Sequence, residues 1–286
     1  LTEKFVINPI EVDTLQKSTD GTIKNGVRLH DGLMVESVLI PTDTRTTACV
    51  SSQVGCSLNC EFCATAKLKR MRNLEVAEII DQVALIDRQS KLYFGRPLTN
   101  IVFMGMGEPM MNYKNVVDSI RKITSPDGLG MSPRRITVST SGIPKMIKML
   151  ADEDLKVKLA LSLHTAIEHK RNMVMPFSEK FPLSEVMESL QYWYQKTKSI
   201  ITFEYCVWGG INDTDEDIKA LIKFCRQVPS KVNLIQYNPI GEGKYDHRNT
   251  LAEERYIQEL EKAGITIVVR RSRGGDIDAA CGQLAN

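Results

Sequence analysis

Short apolar runs rich in β-branched residues alternate with helical stretches from about residue 100 to the end of the chain. The predicted strands are Ile101–Met104, Ile136–Ser139, Val157–Leu163, Ile200–Val207, Val232–Gln236 and Ile265–Arg270, preceded by Thr47–Val50. Alternation of this kind predicts a parallel sheet with right-handed helical crossovers. About six such units predict an α/β fold in the form of a full or partial (β/α)6 barrel.

Three of the intervening segments carry apolar residues at helical spacing. The stripes are Val76, Ile79, Ile80 and Val83; Leu183, Val186, Met187 and Leu190; and Ile218, Leu221, Ile222 and Cys225. Spacing of three and four residues predicts amphipathic helices that pack against the sheet. The polar residues Asn212, Asp213 and Thr214 precede the third stripe and predict a helix N-cap.

Residues 1–46 do not follow the alternation and predict a small β extension. Asn25-Gly26 and Asp31-Gly32 are turn signals, and Leu33–Pro41 alternates at period two. We therefore divide the chain into an extension over 1–46 and a barrel core over 47–286.

The composition is typical of a globular protein, and the net charge alone does not identify a binding partner. The 286 residues are 42% hydrophobic and 25% charged, with a net charge of +2. No uninterrupted apolar run approaches the roughly 18 residues of a membrane span, and no secretory signal opens the chain. These features predict a cytoplasmic protein. Basic residues form three groups that could attract RNA phosphates: Lys67, Lys69, Arg70 and Arg72; Arg134 and Arg135; and Arg270, Arg271 and Arg273.

Residues suited to ligand binding follow the predicted strands, where barrels of this type place their active sites. These candidates are Gly105, Gly107, Glu108, Ser139, Ser162, His164 and Asn238. The glycines permit close approach of the backbone to a ligand. Glu108 could accept an ammonium group, and the other side chains could bind ribose, carboxylate and adenine.

Cys56, Cys60 and Cys63 have the spacing C-x-x-x-C-x-x-C on one short segment. Structural zinc sites use four ligands, commonly as two C-x-x-C pairs, and no second pair exists here. A cubane [4Fe–4S] cluster held by three thiolates leaves one iron open, and the amino and carboxylate groups of S-adenosylmethionine can chelate it. The motif therefore predicts a cluster that cleaves this cofactor to a 5′-deoxyadenosyl radical. A zinc-dependent RNA-binding module without catalysis is the competing interpretation.

Five motifs in order give a resemblance to a known family. They are ACVSSQVGCSLNCEFC at residues 48–63, FMGMGEP at 103–109, STSG at 139–142, SLH at 162–164 and DIDAACGQL at 276–284. Together they resemble the RlmN/Cfr family of radical-SAM methyltransferases, from about Gly26 to the C-terminus, with its RlmN branch the closer match.

The resemblance implies methylation of adenosine carbon 2 in 23S rRNA and in tRNA, with two molecules of S-adenosylmethionine used per turnover. Cys281 matches the cysteine that carries the methyl group, and Cys49 matches the cysteine that later forms a disulfide with it. Glu36 matches the general base, and Leu163 lies within the cofactor-binding SLH motif. It also implies a monomer that receives electrons from a donor such as flavodoxin.

Two alternatives stay open within the resemblance, namely methylation of carbon 8 as in the Cfr branch, and a different radical-SAM reaction. Relatives carry an N-terminal helical RNA-binding domain, which the residues printed here do not include. The segment Ala64–Arg70 departs from the glycine-rich loop of many relatives. From pattern alone, Cys49 and Cys225 are expected to be buried, Glu36 is expected to be exposed, and Cys206 has no assignment.

Overall fold

The computed structural model describes residues 10–241 and 249–285. Within them one sheet contains ten strands, in the order β1-β2-β3-β4-β7-β8-β9-β10-β11-β12. These strands are β1 (Glu11–Lys17), β2 (Ile23–Arg28), β3 (Met34–Pro41), β4 (Thr46–Cys49), β7 (Asn100–Phe103), β8 (Ile136–Thr140), β9 (Lys158–Ser162), β10 (Ile201–Cys206), β11 (Ser230–Ile235) and β12 (Thr266–Arg270). A two-residue pair, β5 (Gln53–Val54) and β6 (Arg72–Asn73), forms a separate small ladder.

Neighbouring strands from β4 to β12 are parallel, as the alternation predicted. The helices are α1 (Val76–Phe94), α2 (Tyr113–Thr124), α3 (Pro144–Asp152), α4 (Glu168–Val174), α5 (Leu183–Thr197), α6 (Asp215–Cys225) and α7 (Thr250–Lys262). Six crossovers containing these helices connect the seven parallel strands, so the predicted partial barrel is confirmed. Each predicted core strand overlaps an observed one, with ends that differ by up to two residues.

The first three strands extend the same sheet in the antiparallel sense. Residues of β3 pair with β4, including Val38 with Cys49, and β2 pairs with β3. The predicted β extension is therefore hydrogen-bonded to the barrel through β4. The division at residue 46 stays a prediction about domain organisation, because the sheet is continuous across it.

Local sequence explains where the helices begin and end. Glu75 and Glu78 form a capping box at the start of α1, and Gly95 ends it with a φ of 64°. Thr214 caps α6 by accepting from the amide of Asp217, so the predicted N-cap is confirmed. Apolar faces of these helices pack on the sheet, and Cys225 is buried in α6 as expected. No helix in the described ranges is long and apolar enough to cross a membrane.

Candidate active site

A cavity lies at the carboxyl ends of the parallel strands, where the fold predicts a site. The predicted site residues that line it are Cys56, Cys60, Cys63, Gly107, Glu108, Ser139, Ser162, His164, Asn238 and Cys281. Side chains from β8, β9 and β10 and from the segments after β7 and β11 therefore face the cysteine motif. The folded chain brings together residues that are up to 225 positions apart in the sequence (56 to 281).

Backbone contacts hold the cysteine segment in place after β4. Gly55 has a φ of 71°, and a Cβ there would meet the carbonyl oxygen of Lys69 at 2.4 Å. The amide of Glu61 donates to the carbonyl of Val174 at 3.0 Å, and that of Cys63 donates to Cys60 O at 3.2 Å. The loop is thus fixed to the end of α4, and Gly55 is required by the close approach of residue 69.

The three thiols share an environment that disfavours free thiolates. Burial raises the pKa of Cys56 to about 11, and burial followed by the other two cysteines raises the pKa of Cys60. Burial also raises the pKa of Cys63. Metal ligation requires the thiolates, so iron binding must release these protons.

The arrangement of the thiols differs from that of a mononuclear metal site. In the described part of the chain, no three His, Cys, Asp or Glu side chains are positioned to hold a single metal ion. A cubane places each thiolate on a different iron, so its three ligands do not converge on one point. The donor chemistry of Cys56, Cys60 and Cys63, which all face one cavity, fits a cluster of this kind.

Glu108 is a buried carboxylate at the cavity wall. Its oxygens accept from the amides of Met110 at 3.1 Å and Ser141 at 2.8 Å. Burial raises the pKa of Glu108, while these hydrogen bonds lower it. A cationic group in the cavity would offset the burial, so the carboxylate suits the predicted ammonium group.

His164 lines the cavity in a strained, aromatic environment. Its φ is 56°, and its ring centroid lies 4.5 Å from that of Phe62 and 5.7 Å from that of Trp208. Burial lowers the pKa of His164 to about 3, so the imidazole is neutral at physiological pH. A neutral ring between aromatic side chains is suited to contact with a planar base.

Leu163 and Asn238 differ from the other predicted cofactor contacts. Leu163 is fully buried outside the cavity lining, and its amide donates to Glu204 O at 3.1 Å. A role in cofactor binding for Leu163 stays a prediction. Asn238 faces the cavity, but its amide nitrogen also donates to Cys281 O at 3.0 Å. It therefore positions the segment that carries Cys281.

Among the described residues that line the cavity, the buried atoms His164 Nδ1 and Glu204 Oε2 have no hydrogen-bond partner. Buried polar atoms are normally paired, so these point to a polar ligand. S-adenosylmethionine has hydroxyl, amino, carboxylate and adenine groups that could satisfy them. The residues present therefore fit both the cluster and the cofactor.

The C-terminal segment crosses the mouth of the cavity. The amide of Ala64 donates to Gly282 O at 2.7 Å, and Thr65 Oγ1 donates to Leu284 O at 2.5 Å. Gly282 has a φ of 87°, and a Cβ there would lie 2.8 Å from Phe62 O. These contacts fix Cys281 against the segment that holds the cluster cysteines.

Cys49 is buried at the end of β4, as the pattern predicted, and lies outside the cavity lining. Burial raises its pKa to about 12, and the nearby Cys281 contributes in the same direction. Both thiols are free. The two predicted partners are therefore near enough for Cys281 to act on the pKa of Cys49, and no disulfide joins them.

Glu36 is buried, so the expectation of an exposed strand residue is wrong. Its carboxylate lies 3.2 Å from Lys24 Nζ and accepts from the amide of Ala285 at 2.7 Å. It lines a second cleft with Lys24, Gln283 and Ala285, next to the cavity that contains Cys281. Lys24 and the C-terminal segment both contact the carboxylate and cover it.

Arg270 and Glu204 were missed as site residues. Arg270 was grouped with the RNA-binding cations, but its side chain lines the cavity, 3.9 Å from Glu204 Oε2. The nearby Cys281 raises the pKa of Arg270, so this cation belongs to the site. Its position at the end of β12 was the available signal. Cys206, at the end of β10, also lines the cavity.

Other basic groups also differ from the expected RNA surface. Arg72 pairs with Asp31 at 2.6 Å and with Glu78 at 2.7 Å, so its charge is largely neutralised. Arg134 and Arg135 precede β8, at the end of the barrel opposite the cavity. Lys67 and Lys69 are exposed beside the cysteine segment and remain candidates.

Comparison with known proteins agrees with this chemistry. The Radical SAM superfamily model matches residues 50–225. A protein of Flavobacterium psychrophilum named "Probable dual-specificity RNA methyltransferase RlmN" is 68% identical over 286 residues, covering 100% of this chain and 82% of that protein. The "Dual-specificity RNA methyltransferase RlmN" of Geotalea uraniireducens is 42% identical over 279 residues, covering 97% and 79%.

A solved structure has the same fold over nearly the whole chain. The radical SAM methyltransferase from Sphaerobacter thermophilus superposes with a TM-score of 0.94 at 39% identity, covering 97% of this chain and 82% of that one. The similarity therefore includes the β extension as well as the barrel.

Proposed function

This chain belongs to the RlmN family of radical-SAM enzymes, and we propose that it methylates carbon 2 of adenosine in 23S rRNA and in tRNA. The observation that carries the proposal is the position of Cys281. It lines the same cavity as Cys56, Cys60 and Cys63, although more than 200 residues separate it from them. A methyl carrier must lie beside the cofactor site without being a cluster ligand, and Cys281 meets both conditions.

Each residue of the site has a distinct part in the proposal. Cys56, Cys60 and Cys63 hold a [4Fe–4S] cluster, and the groups that follow the strands bind S-adenosylmethionine. When bound, these cofactors supply the methyl group and the radical chemistry that activates it. Adenine C2 is electron-poor and does not attack a sulfonium directly, so a carrier is required. Cys281 is that carrier, and two molecules of S-adenosylmethionine are used for each product.

Product release is assigned to Cys49 and the proton transfer to Glu36. The Cys49 thiolate attacks the sulfur of Cys281, so an S–S bond forms while the bond from that sulfur to the transferred carbon breaks. The carbon keeps the electron pair and takes up a proton, which frees the methylated base. The electrostatic influence of Cys281 on Cys49 supports this pairing, because it requires the two thiols to be neighbours. Glu36 contacts the segment that carries Cys281, and this position supports its assignment as the base.

The partners follow from the substrate and the chemistry. A target adenine must leave its RNA stack to approach Cys281, so we expect recognition of a loop or a flipped base. The proposal includes the cytoplasm as compartment, a monomeric enzyme, and a low-potential electron donor such as flavodoxin. The exposed Lys67 and Lys69 support RNA contact near the cavity.

The test combines metal analysis with mass spectrometry of nucleosides. Protein purified without oxygen should contain iron and sulfide, and RNA incubated with it should contain 2-methyladenosine. Cys281→Ala should retain iron and lose methylation. Cys225→Ala, in the core of α6, is the matched control and should retain both.

Three results would contradict specific parts of the proposal. Stoichiometric zinc without iron would exclude the cluster. Sole formation of 8-methyladenosine would exclude carbon 2. Methylation by Cys281→Ala would exclude the carrier.

A further inference from the structure

Arg171 on α4 is fully buried and has an incomplete set of partners. Its Nη2 donates to the carbonyl oxygens of Ser141 and Ser162. Its Nε and Nη1 atoms are buried without a hydrogen-bond partner. In the described ranges no acidic side chain lies within ion-pair distance of it. Glu168, one turn earlier, is exposed, and its carboxylate accepts from the amide of Leu183.

An isolated charge in a protein interior is costly unless an anion accompanies it. Burial lowers the pKa of Arg171 to about 10, which still leaves the guanidinium charged at neutral pH. The nearby Cys60 raises the pKa of Arg171 and so acts against the effect of burial. The fold therefore retains a buried cation, with two unused donors, close to one of the cluster cysteines.

The position of α4 explains how this arrangement arises. Val174, three residues after Arg171, accepts the amide hydrogen bond of Glu61 at 3.0 Å. Val174 also packs in a small apolar group that includes Cys60. Residues three apart share a helix face, so Arg171 lies on the side of α4 that faces the cysteine segment. It is absent from the cavity lining, so it lies behind the cysteine segment and does not face the space left for a substrate.

We propose that Arg171 is the charge partner of the iron–sulfur cluster and raises its reduction potential. The inference rests on the cluster assigned in the proposed function. Net charge and hydrogen bonds to sulfur set the potential of such clusters. Reduction adds one negative charge, which a fixed neighbouring cation stabilises, and the free N–H groups can donate to sulfur. Arg171 is thus a positioning and electrostatic residue, and it does not touch the substrate.

The test is a redox titration of the reconstituted holoenzyme, followed by electron paramagnetic resonance, without S-adenosylmethionine. Arg171→Met removes the charge and keeps most of the apolar stem, while Arg171→Lys keeps the charge. We expect Arg171→Met to lower the ratio of reduced to oxidised cluster about tenfold at a given potential, equivalent to about 59 mV. Arg171→Lys should change the reduction potential of the cluster much less, because it keeps the positive charge. Arg134→Met, at the opposite end of the barrel, is the control and should match the wild type.

A second measurement uses the wild-type chain, in case Arg171→Met does not take up iron. Protein labelled with 15N-arginine should have a nitrogen coupling to the reduced cluster in pulsed resonance spectra, and Arg171→Lys should lack it. An iron-loaded Arg171→Met with an unchanged potential would overturn the inference, as would the absence of the coupling in the wild type. Equal shifts in the Lys and Met variants would indicate a structural role instead. A wild-type protein without iron would refute the cluster itself, which is a different failure.

Discussion

The backbone amide of Ala285 donates a 2.7 Å hydrogen bond to the carboxylate of Glu36, across 249 positions of sequence. This contact, with those of Gly282 and Leu284, holds the segment that carries Cys281 against the site. The proposed carrier cysteine and the proposed base therefore both contact or belong to one stretch of chain. Substitutions that displace this stretch should impair methyl transfer before they affect the cluster.

Gly282→Ala tests this dependence. The new Cβ would lie 2.8 Å from Phe62 O, at a residue whose φ is 87°. We expect at least a tenfold loss of RNA methylation with most of the iron retained, because Gly282 belongs to the segment of Cys281, which supplies no cluster ligand and can shift away from Phe62. Methylation is measured by mass spectrometry, and iron by colorimetric assay.

Gly241→Ala is the matched control for this variant. Its φ is 79°, but no atom lies within 4 Å of the added Cβ. Both substitutions have a backbone cost of about 1 kcal/mol, and only Gly282→Ala adds a collision. Equal activity of the two variants would show that the close approach to Phe62 is unimportant.

The ion pair of Lys24 and Glu36 is buried, with side-chain exposures of 10% and 6%. Removal of one member of such a pair leaves an uncompensated charge, so Lys24→Met should lower the free energy of unfolding by about 3 kcal/mol. The double variant Lys24→Met with Glu36→Gln should have a higher free energy of unfolding than Lys24→Met alone, because it has no unpaired buried charge. Urea unfolding of the three proteins measures both effects.

Lys262→Met removes an exposed pair with Glu259 and serves as the control. It should change the free energy of unfolding by less than about 1 kcal/mol. If the double variant were less stable than Lys24→Met alone, the buried charge of Glu36 would not be the cause.

The strands and the cluster motif were predictable because each depends on local sequence. A run such as Ile136–Ser139 buries both faces in a parallel sheet, and three cysteines within eight residues share one loop. Glu36 was not predictable in this way. A glutamate on an alternating strand is normally exposed, whereas here Lys24 and the distant Ala285 both contact its carboxylate.

Arg270 and Arg171 show the same limit for charged side chains. Arg270 was grouped with the cations that could attract RNA phosphates, and no pattern distinguished Arg171. In the structure Arg270 lines the cavity and Arg171 is fully buried. The surroundings of both side chains are supplied by other strands and helices. The position of Arg270 after a strand was a signal, whereas the local pattern around Arg171 gives none.

His164 should make stability depend on pH. Its pKa falls from 6.5 in the unfolded chain to about 3 in the fold, so the unfolded state binds more protons between these values. The free energy of unfolding is therefore unaffected by His164 above pH 6.5, and it decreases as the pH falls from 6.5 toward 3. At pH 5 the loss is about 2 kcal/mol. Urea unfolding of cluster-free protein at pH 7 and pH 5 should show it.

His164→Phe keeps an aromatic ring beside Phe62 and removes the titratable group. In this variant the difference between the free energies of unfolding at pH 7 and pH 5 should be smaller by about 2 kcal/mol. A difference as large as in the wild type would assign the acid sensitivity to other residues.

Binding of RNA should depend on the exposed lysines beside the cysteine segment. Lys67 and Lys69 lie at the cavity end of the barrel, whereas Arg134 and Arg135 lie at the opposite end. Each phosphate contact that is lost should reduce the slope of log K against log salt by about 0.7 for single-stranded RNA. We therefore expect the double variant Lys67→Ala with Lys69→Ala to bind RNA more weakly and with a shallower slope.

The double variant Arg134→Ala with Arg135→Ala is the control and should bind RNA as the wild type does. Fluorescence anisotropy with a labelled tRNA at several salt concentrations measures both, and the reverse result would place the RNA at the other end of the barrel.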